Sequence, residues 1–255
     1  MKNLFDIKGK VALVTGGSRG IGEMIATGFV EAGVKVYISA RKAQVCNDLA
    51  DELSKRGTCI SLPADLGTRE GIEFLAKELA RREEKLDILV NNAGAAWGQP
   101  IDDYSEDGWD KVMNINLKGP FFVTQSLLPL LRKAGTDEDP ARVINIASIN
   151  GIVPPELETY AYSSSKAGVI MLTRHLAGRL ARENILVNAI APGPFPSHMM
   201  RATLDAFGDM IRESNPRKRI GTPEDIAGVA IFLSSRASAY TTGATIPCDG
   251  GSAEV

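Results

Sequence analysis

A tyrosine, a lysine and a serine in the middle of the chain have the types and spacing that proton transfer requires. Tyr162 and Lys166 are four residues apart, so on one helix they project from the same face. An ammonium beside a phenol favours the phenolate, which predicts a Tyr162 pKa below its ordinary value of about 10. Ser148 ends the strand-like run RVINIAS and can hydrogen bond the same substrate oxygen. The set suits moving a proton to or from an alcohol or carbonyl oxygen.

Two competing interpretations concern the tyrosine. A Tyr and a Lys four apart on a helix are often only surface neighbours. Tyr160 is a second possible proton donor, but the residue four positions after it is Ser164 rather than a lysine. Tyr162 is therefore the stronger candidate.

Strand-like and helix-like segments alternate along the chain and must position these residues. Segments rich in Val and Ile, apolar on both faces, are typical of strands buried in a parallel sheet. They are residues 11–15, 34–40, 59–64, 87–93, 142–147, 186–191 and 244–248. Helical segments between them, such as 20–33, 44–57 and 68–85, have the length of right-handed crossovers. The pattern predicts an α/β fold, with a seven-stranded parallel, doubly wound sheet and helices on both faces, as one domain over residues 1–255.

Composition excludes several classes of protein. The chain has 255 residues, of which 44% are apolar, and its net charge of −2 without a long basic run argues against nucleic-acid binding. No apolar run approaches the ~20 residues of a membrane span, and no apolar signal segment opens the sequence, so we expect a cytoplasmic protein. Three scattered cysteines and two histidines predict neither a disulfide framework nor a histidine-based metal centre.

A glycine-rich turn, TGGSRGIG at residues 15–22, follows the first strand and opens a helix. Residues without a Cβ let backbone amides approach a pyrophosphate at the helix N-terminus. The turn also matches G-x-S-x-G, the nucleophile elbow of hydrolases. That alternative is weaker, because nothing else points at His175 or His198 as its base. We predict cofactor contacts from Gly16, Ser18, Arg19, Gly20 and Ile21.

The end of the second strand selects between the two nicotinamide cofactors. An Asp or Glu there would bind the adenosine ribose 2′-OH and favour NAD. The sequence instead has Ser39, Ala40 and Arg41, and Arg41 with Arg19 can hold a 2′-phosphate between two guanidinium groups. We therefore predict NADP(H), with two ordinary surface arginines as the alternative.

Two further strand ends complete the predicted cofactor site. Asp65 and Leu66 follow the third strand, where a carboxylate can accept a hydrogen bond from the adenine amino group. NNAG follows the fourth strand and leaves room for a flat ring. The residues concerned are Asn92, Ala93 and Gly94.

Together and in this order, TGGSRGIG, NNAG, Ser148, Tyr162-x-x-x-Lys166 and Pro192-Gly193 resemble the short-chain dehydrogenases/reductases over nearly the whole chain. The resemblance implies a Rossmann fold, B-face hydride transfer between NADP(H) and a small-molecule carbonyl or alcohol, and no metal. It makes Ser148 the substrate-polarising residue and Tyr162 the acid/base, with Lys166 tuning Tyr162 and binding the nicotinamide ribose.

By the same resemblance, Asn116 holds a water of the proton relay. Pro192, Gly193 and Ser197 match the segment beside the nicotinamide. The likeness extends to the NADPH-dependent β-ketoacyl reductases of the rhamnolipid pathway, through Trp-Gly after NNAG, the insertion GTDEDPA and PGPFPSHM. Reductases of sugars, polyols or xenobiotic ketones are the alternative, and a non-catalytic NADPH-binding sensor is an alternative of another class.

Substrate choice is expected in residues 194–221, where the family has a mobile lid. Phe195 and Met199 on one side, with Trp97 and Ile149 on the other, predict an apolar pocket, although Met and Phe at helical spacing are often plain core.

Basic residues within the same segment suggest a carrier-bound substrate. They face either an acidic acyl-carrier protein or coenzyme A phosphates, or they are only solvated charges. These residues are Arg201, Arg217, Lys218 and Arg219. Helices predicted near 106–133 and 159–182 imply, through the family, a homodimer or homotetramer.

Overall fold

The computed structural model describes residues 3–197 and 199–253, in which seven parallel strands form one sheet. The order across the sheet is β3-β2-β1-β4-β5-β6-β7. The strands are β1 Val11–Thr15, β2 Lys35–Ser39, β3 Thr58–Ser61, β4 Ile88–Asn91, β5 Ala141–Ile146, β6 Ile185–Pro192 and β7 Thr245–Cys248. The predicted doubly wound parallel sheet is confirmed.

The described residues also form eight α-helices, which cover both faces of the sheet. They are α1 Gly20–Glu31, α2 Ala43–Leu53, α3 Arg69–Arg82, α4 Glu106–Met113, α5 Gly119–Ala134, α6 Tyr160–Leu180, α7 Arg201–Ser214 and α8 Pro223–Ser234. A π-helical stretch, Asn114–Lys118, joins α4 to α5. None of the helices in the described ranges is long and apolar enough to cross a membrane.

The strand order reverses between β1 and β4, and this reversal decides where ligands can bind. β1 pairs with β2 on one side and with β4 on the other, with Val14 opposite both Ile38 and Val90. The loops that leave β1 and β4 therefore diverge and open a crevice at the carboxyl ends of the strands. TGGSRGIG leaves β1 and NNAG leaves β4, so the two predicted cofactor motifs lie on either side of this crevice.

Alternate residues of the central strands enter apolar clusters on opposite faces of the sheet. Val14 packs with helices α1, α2 and α8 on one face, and its neighbour Leu13 packs with α3 and α5 on the other. The central strands are buried on both faces, as predicted. The edge strands β3 and β7 are only partly buried, because each has a neighbouring strand on one side alone.

Several predicted segments extend further than the elements they contain. The fourth strand was predicted over 87–93 but ends at Asn91, because the amides of Asn92 and Ala93 turn to the Thr15 hydroxyl. The second helix ends at Leu53 instead of residue 57, where the Gly57 amide returns to the Leu53 carbonyl oxygen.

Candidate active site

Ser148 lies just beyond the carboxyl end of β5, at the start of a short 3₁₀ turn over Ile149–Gly151. Its hydroxyl accepts a hydrogen bond of 3.1 Å from the Asn150 amide, which fixes the side chain at the turn. The residue is only 7% exposed. Ser148 is thus held in place, with its hydroxyl proton free to be donated elsewhere.

Tyr162 and Lys166 lie in the first two turns of α6, as their spacing predicted. The Lys166 ammonium is buried and donates a hydrogen bond of 2.7 Å to the carbonyl oxygen of Ile146, the last residue of β5. It lies 5.6 Å from the centroid of the Tyr162 ring. The helix and the strand end therefore bring Ser148, Tyr162 and Lys166 to one place.

Burial dominates the ionisation of both groups. Loss of solvation raises the pKa of Tyr162, and a hydrogen bond with Ser148 opposes this rise only in part. Burial also lowers the pKa of Lys166 to about 8. The predicted lowering of the Tyr162 pKa is therefore wrong for this arrangement, because the phenolate loses more from burial than its neighbours return.

Asn116 lies in the π-helical stretch and is almost fully buried. Its Oδ1 accepts from the Ala95 amide at 2.8 Å, and its Nδ2 donates to the Ala95 carbonyl oxygen at 2.9 Å. Nδ2 also donates to the Ser165 hydroxyl at 3.0 Å. π-Helical turns inside helices often accompany functional sites. Here the turn allows one amide side chain to connect the loop after β4 to α6.

Ser165 is a positioning residue that the sequence analysis missed. Its hydroxyl accepts from Asn116 and donates to the Tyr162 carbonyl oxygen at 2.7 Å. The side chain therefore joins Asn116 to the backbone of the candidate acid/base. A signal was present, since a helical serine commonly bonds the carbonyl oxygen three or four residues earlier.

The glycine turn after β1 is shaped to let a ligand approach the backbone. Gly16 and Gly20 have φ of 62° and 58°, and a Cβ at Gly16 would lie 2.8 Å from the Ala93 Cα. Asn92 Nδ2 donates to the carbonyl oxygens of Thr15 and Gly16 at 2.9 and 3.0 Å. NNAG thus braces the turn from the far side of the crevice.

The first turn of α1 has no N-cap side-chain hydrogen bond in the described chain, because Arg19, which precedes the helix, carries no acceptor atom. Unpaired amides at a helix N-terminus attract anions such as a pyrophosphate. Together with the glycine turn, this arrangement fits the dinucleotide that the sequence predicts.

Ser18, Arg19, Gly20 and Arg41 line one cavity of about 930 Å³, as the cofactor prediction requires. Ser197 also lines it, and a Cβ at Gly20 would lie 3.1 Å from that of Ser197.

Three predicted cofactor residues sit behind this surface. Ser39 is fully buried, and its carbonyl oxygen accepts from the Gly17 amide at 3.2 Å. Leu66 packs in a core cluster, and half-buried Ile21 packs against the other one. These residues support the turn and the strand ends from within the protein.

The remaining predicted cofactor residues lie at strand ends around the crevice. Asp65 is exposed, and its carboxylate accepts from the Gly67 amide at 3.0 Å. Gly94 is exposed beside Asn116, where an added Cβ would be 3.2 Å from Asn116 Oδ1. Pro192 ends β6, and the next amide, of Gly193, bonds the Cys248 carbonyl oxygen at 3.0 Å.

The predicted apolar pocket is only partly assembled. Phe195 is 3% exposed and belongs to the core cluster on the α1 face, with its ring against Gly221, so it is core rather than pocket wall. The Trp97 indole packs on Gly108 of α4 and donates to Gln99 at 2.9 Å. Ile149, half-buried, adjoins Ser148, and Met199 is exposed at the start of the lid segment.

A family model described as enoyl-(acyl carrier protein) reductase matches residues 16–253. A relative from Pseudomonas aeruginosa, the rhamnolipids biosynthesis 3-oxoacyl-[acyl-carrier-protein] reductase, is 48% identical over 253 residues, which cover 98% of this chain and 99% of that protein. The 2-dehydro-3-deoxy-D-gluconate 5-dehydrogenase of Dickeya dadantii is 37% identical, over 98% of this chain and 97% of its own.

A solved structure, the NADP active-site complex of RhlG from Pseudomonas aeruginosa, superposes with a TM-score of 0.96 at 48% identity. The match covers 99% of this chain and 100% of that one. The family model and these relatives each match nearly the whole chain. The chain belongs to the short-chain dehydrogenase/reductase family.

Proposed function

We propose that the protein uses NADPH to reduce the ketone of a 3-oxoacyl thioester to a secondary alcohol. The observation that carries this proposal is the meeting of Ser148, Tyr162 and Lys166 beside the glycine turn. Two comparisons support it: a 3-oxoacyl reductase that is 48% identical, and an NADP complex of nearly the same backbone. The cationic cavity that contains Arg19 and Arg41 supports NADPH over NADH.

NADPH held at the glycine turn would supply a hydride for the carbonyl carbon. Ser148 and Tyr162 donate hydrogen bonds to the carbonyl oxygen, and Tyr162 passes its proton to that oxygen as the C–H bond forms. Burial raises the pKa of Tyr162, so the phenol is protonated at neutral pH. This is the form that a reduction needs from its acid.

Lys166 and Asn116 keep Tyr162 protonated and in position. Lys166 is fixed to the end of β5. From there it relays a proton from solvent to Tyr162 after each turnover. Asn116 holds the loop after β4 against α6, through Ala95 and Ser165. Through these hydrogen bonds, Lys166 and Asn116 therefore fix how far Tyr162 lies from the cofactor side of the crevice.

Exposed apolar side chains near the site favour an acyl substrate over a sugar. Ile152, Val153 and Leu157, in the segment between Ser148 and Tyr162, are 44%, 42% and 61% exposed. Met199 and Phe207 of the lid segment are 49% and 53% exposed. Such a group of unburied apolar side chains is typical of a surface that binds an apolar ligand. A sugar or polyol substrate, suggested by the gluconate dehydrogenase relative, is the second candidate.

The experiment follows NADPH and NADH absorbance with acetoacetyl-CoA, longer 3-oxoacyl thioesters and a panel of sugar ketones. We expect NADPH oxidation with the thioesters. Tyr162→Phe should lower kcat at least about a hundredfold, because the proton donor is lost, while NADPH still binds. Tyr160→Phe is the matched control, since within the described residues this hydroxyl bonds only Glu158, at 3.0 Å, and should be dispensable.

Three outcomes would contradict the proposal in different ways. Retained turnover in Tyr162→Phe would exclude the proton-transfer mechanism. Turnover with sugars alone would keep a reductase of another substrate class. Tight NADPH binding without turnover of any ketone would indicate a non-catalytic NADPH-binding protein.

A further inference from the structure

The cavity beside the glycine turn is also lined by part of the lid segment, of which the cofactor prediction used only Ser197. One wall carries Arg19 at the start of α1 and Arg41 just before α2. Ser197 of the lid segment and Arg201 and Leu204 of α7 also line the cavity. The cavity therefore brings the glycine turn and α7 together.

Arg201 is the first residue of α7, and its side chain is exposed. Within residues 3–197 and 199–253 no carboxylate lies within ion-pair distance of it, whereas Arg212 near the end of the same helix pairs with Asp209. A guanidinium that lines a cavity without a carboxylate partner is available to a ligand anion.

The charges around the cavity favour an anion of high charge density. Cations come from Arg19, Arg41, Lys42 and Arg201, and carboxylates from Glu23 and Asp205. The cations therefore outnumber the carboxylates along the lining. The cations come from three places in the chain: Arg19 just before α1, Arg41 and Lys42 just before α2, and Arg201 at the start of α7.

We propose that Arg201 is a third ligand of the cofactor 2′-phosphate, and that this contact fastens α7 over the cofactor. The proposal rests on the proposed use of NADPH. A 2′-phosphate carries two negative charges and three acceptor oxygens, enough for three guanidinium groups at once. Because only NADPH carries the 2′-phosphate, the contact holds α7 closed with NADPH and not with NADH. Cofactor selection and lid position are thereby coupled in this protein.

The test measures binding of two inert probes, 2′,5′-ADP and ADP, by titration calorimetry. Both carry the adenosine, but only 2′,5′-ADP carries the 2′-phosphate. Arg201→Ala should weaken the binding of 2′,5′-ADP about tenfold, as expected for one charge-assisted contact at a partly solvated site. The affinity for ADP should stay unchanged. The affinity of Arg201→Lys for 2′,5′-ADP should lie between those of wild type and Arg201→Ala, because lysine keeps the charge but loses the bidentate geometry. Arg212→Ala is the matched control, and both probes should bind it like wild type.

Hydrogen exchange supplies an independent readout of the helix. In wild type, 2′,5′-ADP should slow exchange of the α7 amides, whereas ADP should not. Arg201→Ala should remove this protection without changing exchange in α1. Loss of the α7 protection in this variant would show that the arginine holds the helix as well as the ligand.

The outcomes separate this proposal from the cofactor assignment. Equal weakening of both probes by Arg201→Ala would place the side chain at the 5′-phosphate position and overturn the proposal. Unchanged binding of both would show that Arg201 stays in solvent, with the same consequence. If wild type bound ADP as tightly as 2′,5′-ADP, the NADPH assignment would itself be wrong, and this proposal would fall with it.

Discussion

The Lys166 ammonium occupies a position that costs the protein stability. It is 5% exposed, and its one hydrogen bond in the described structure goes to a backbone carbonyl oxygen. A buried ammonium without a carboxylate partner gives up hydration that one neutral acceptor does not replace. The residue is thus placed for proton transfer at the expense of folding free energy, a trade-off common at active sites.

The sign of this effect gives a pH-dependent prediction. Burial lowers the pKa of Lys166 from 10.5 to about 8, so between these values the native state binds fewer protons than the unfolded state. The cost is full below pH 8 and disappears as the pH rises towards 10.5. Lys166→Met should therefore raise the unfolding free energy by about 1–3 kcal/mol at neutral pH while abolishing activity.

Thermal unfolding of wild type and Lys166→Met between pH 6.5 and about 10 measures this difference. The gap in Tm should narrow as the pH rises through the lysine pKa. A gap that stays constant with pH would show that packing of the methionine, and not the buried charge, accounts for it.

At the scale of elements, the turn between β1 and α1 depends on the absence of side chains. A Cβ at Gly22 would overlap Asn92 Nδ2 and the Gly16 carbonyl oxygen. These are the atoms that join the glycine turn to NNAG, through a hydrogen bond of 3.0 Å. The helix cannot move away, because Ile25, Ala26 and Phe29 of α1 are fully buried.

Gly22→Ala should therefore destabilise the protein by about 1–3 kcal/mol and weaken NADPH binding at least about tenfold. Denaturant unfolding and cofactor fluorescence titration measure the two effects. Gly228→Ala, in α8, is the matched control. A Cβ there meets nothing within 4 Å, so the helix should gain about 0.5–1 kcal/mol. Normal cofactor affinity in Gly22→Ala would contradict the role given to this turn.

At the scale of the whole molecule, α5 and α6 each present large apolar side chains to solvent. Phe121 of α5 is 36% exposed and Met171 of α6 is 61% exposed. The family expectation is that these helices pair across a two-fold axis, and exposed apolar side chains of this kind indicate an interface. We therefore predict that the protein assembles as a dimer or tetramer.

Light scattering measures the assembly directly, against the chain mass of 27.3 kDa. Wild type should have two or four times this mass, and Met171→Glu should shift it towards the monomer, because a charge in an apolar interface is left unpaired. Phe74→Glu is the control, since Phe74 of α3 is 51% exposed on a different helix. A monomeric wild type at micromolar concentration would contradict the expectation.

Local patterns in the sequence determined the sheet, the glycine turn and the set of Ser148, Tyr162 and Lys166. Strand burial, helix spacing and turn chemistry depend on residues close together in the chain, so they can be read without the fold. The arginines Arg19 and Arg41 were identified in the same way, from their positions after the first two strands, whereas Asn116 was identified through the family resemblance.

Tertiary structure alone decided the properties that join distant residues. It placed Phe195 in the core against Gly221, and it connected Asn116 to Tyr162 through Ser165. It also reversed the predicted shift of the Tyr162 pKa, since burial depends on everything packed around a group and spacing reports only its nearest neighbours. The meeting of Arg201 with Arg19 and Arg41 in one cavity has the same origin, because more than 150 residues of chain separate Arg201 from either arginine.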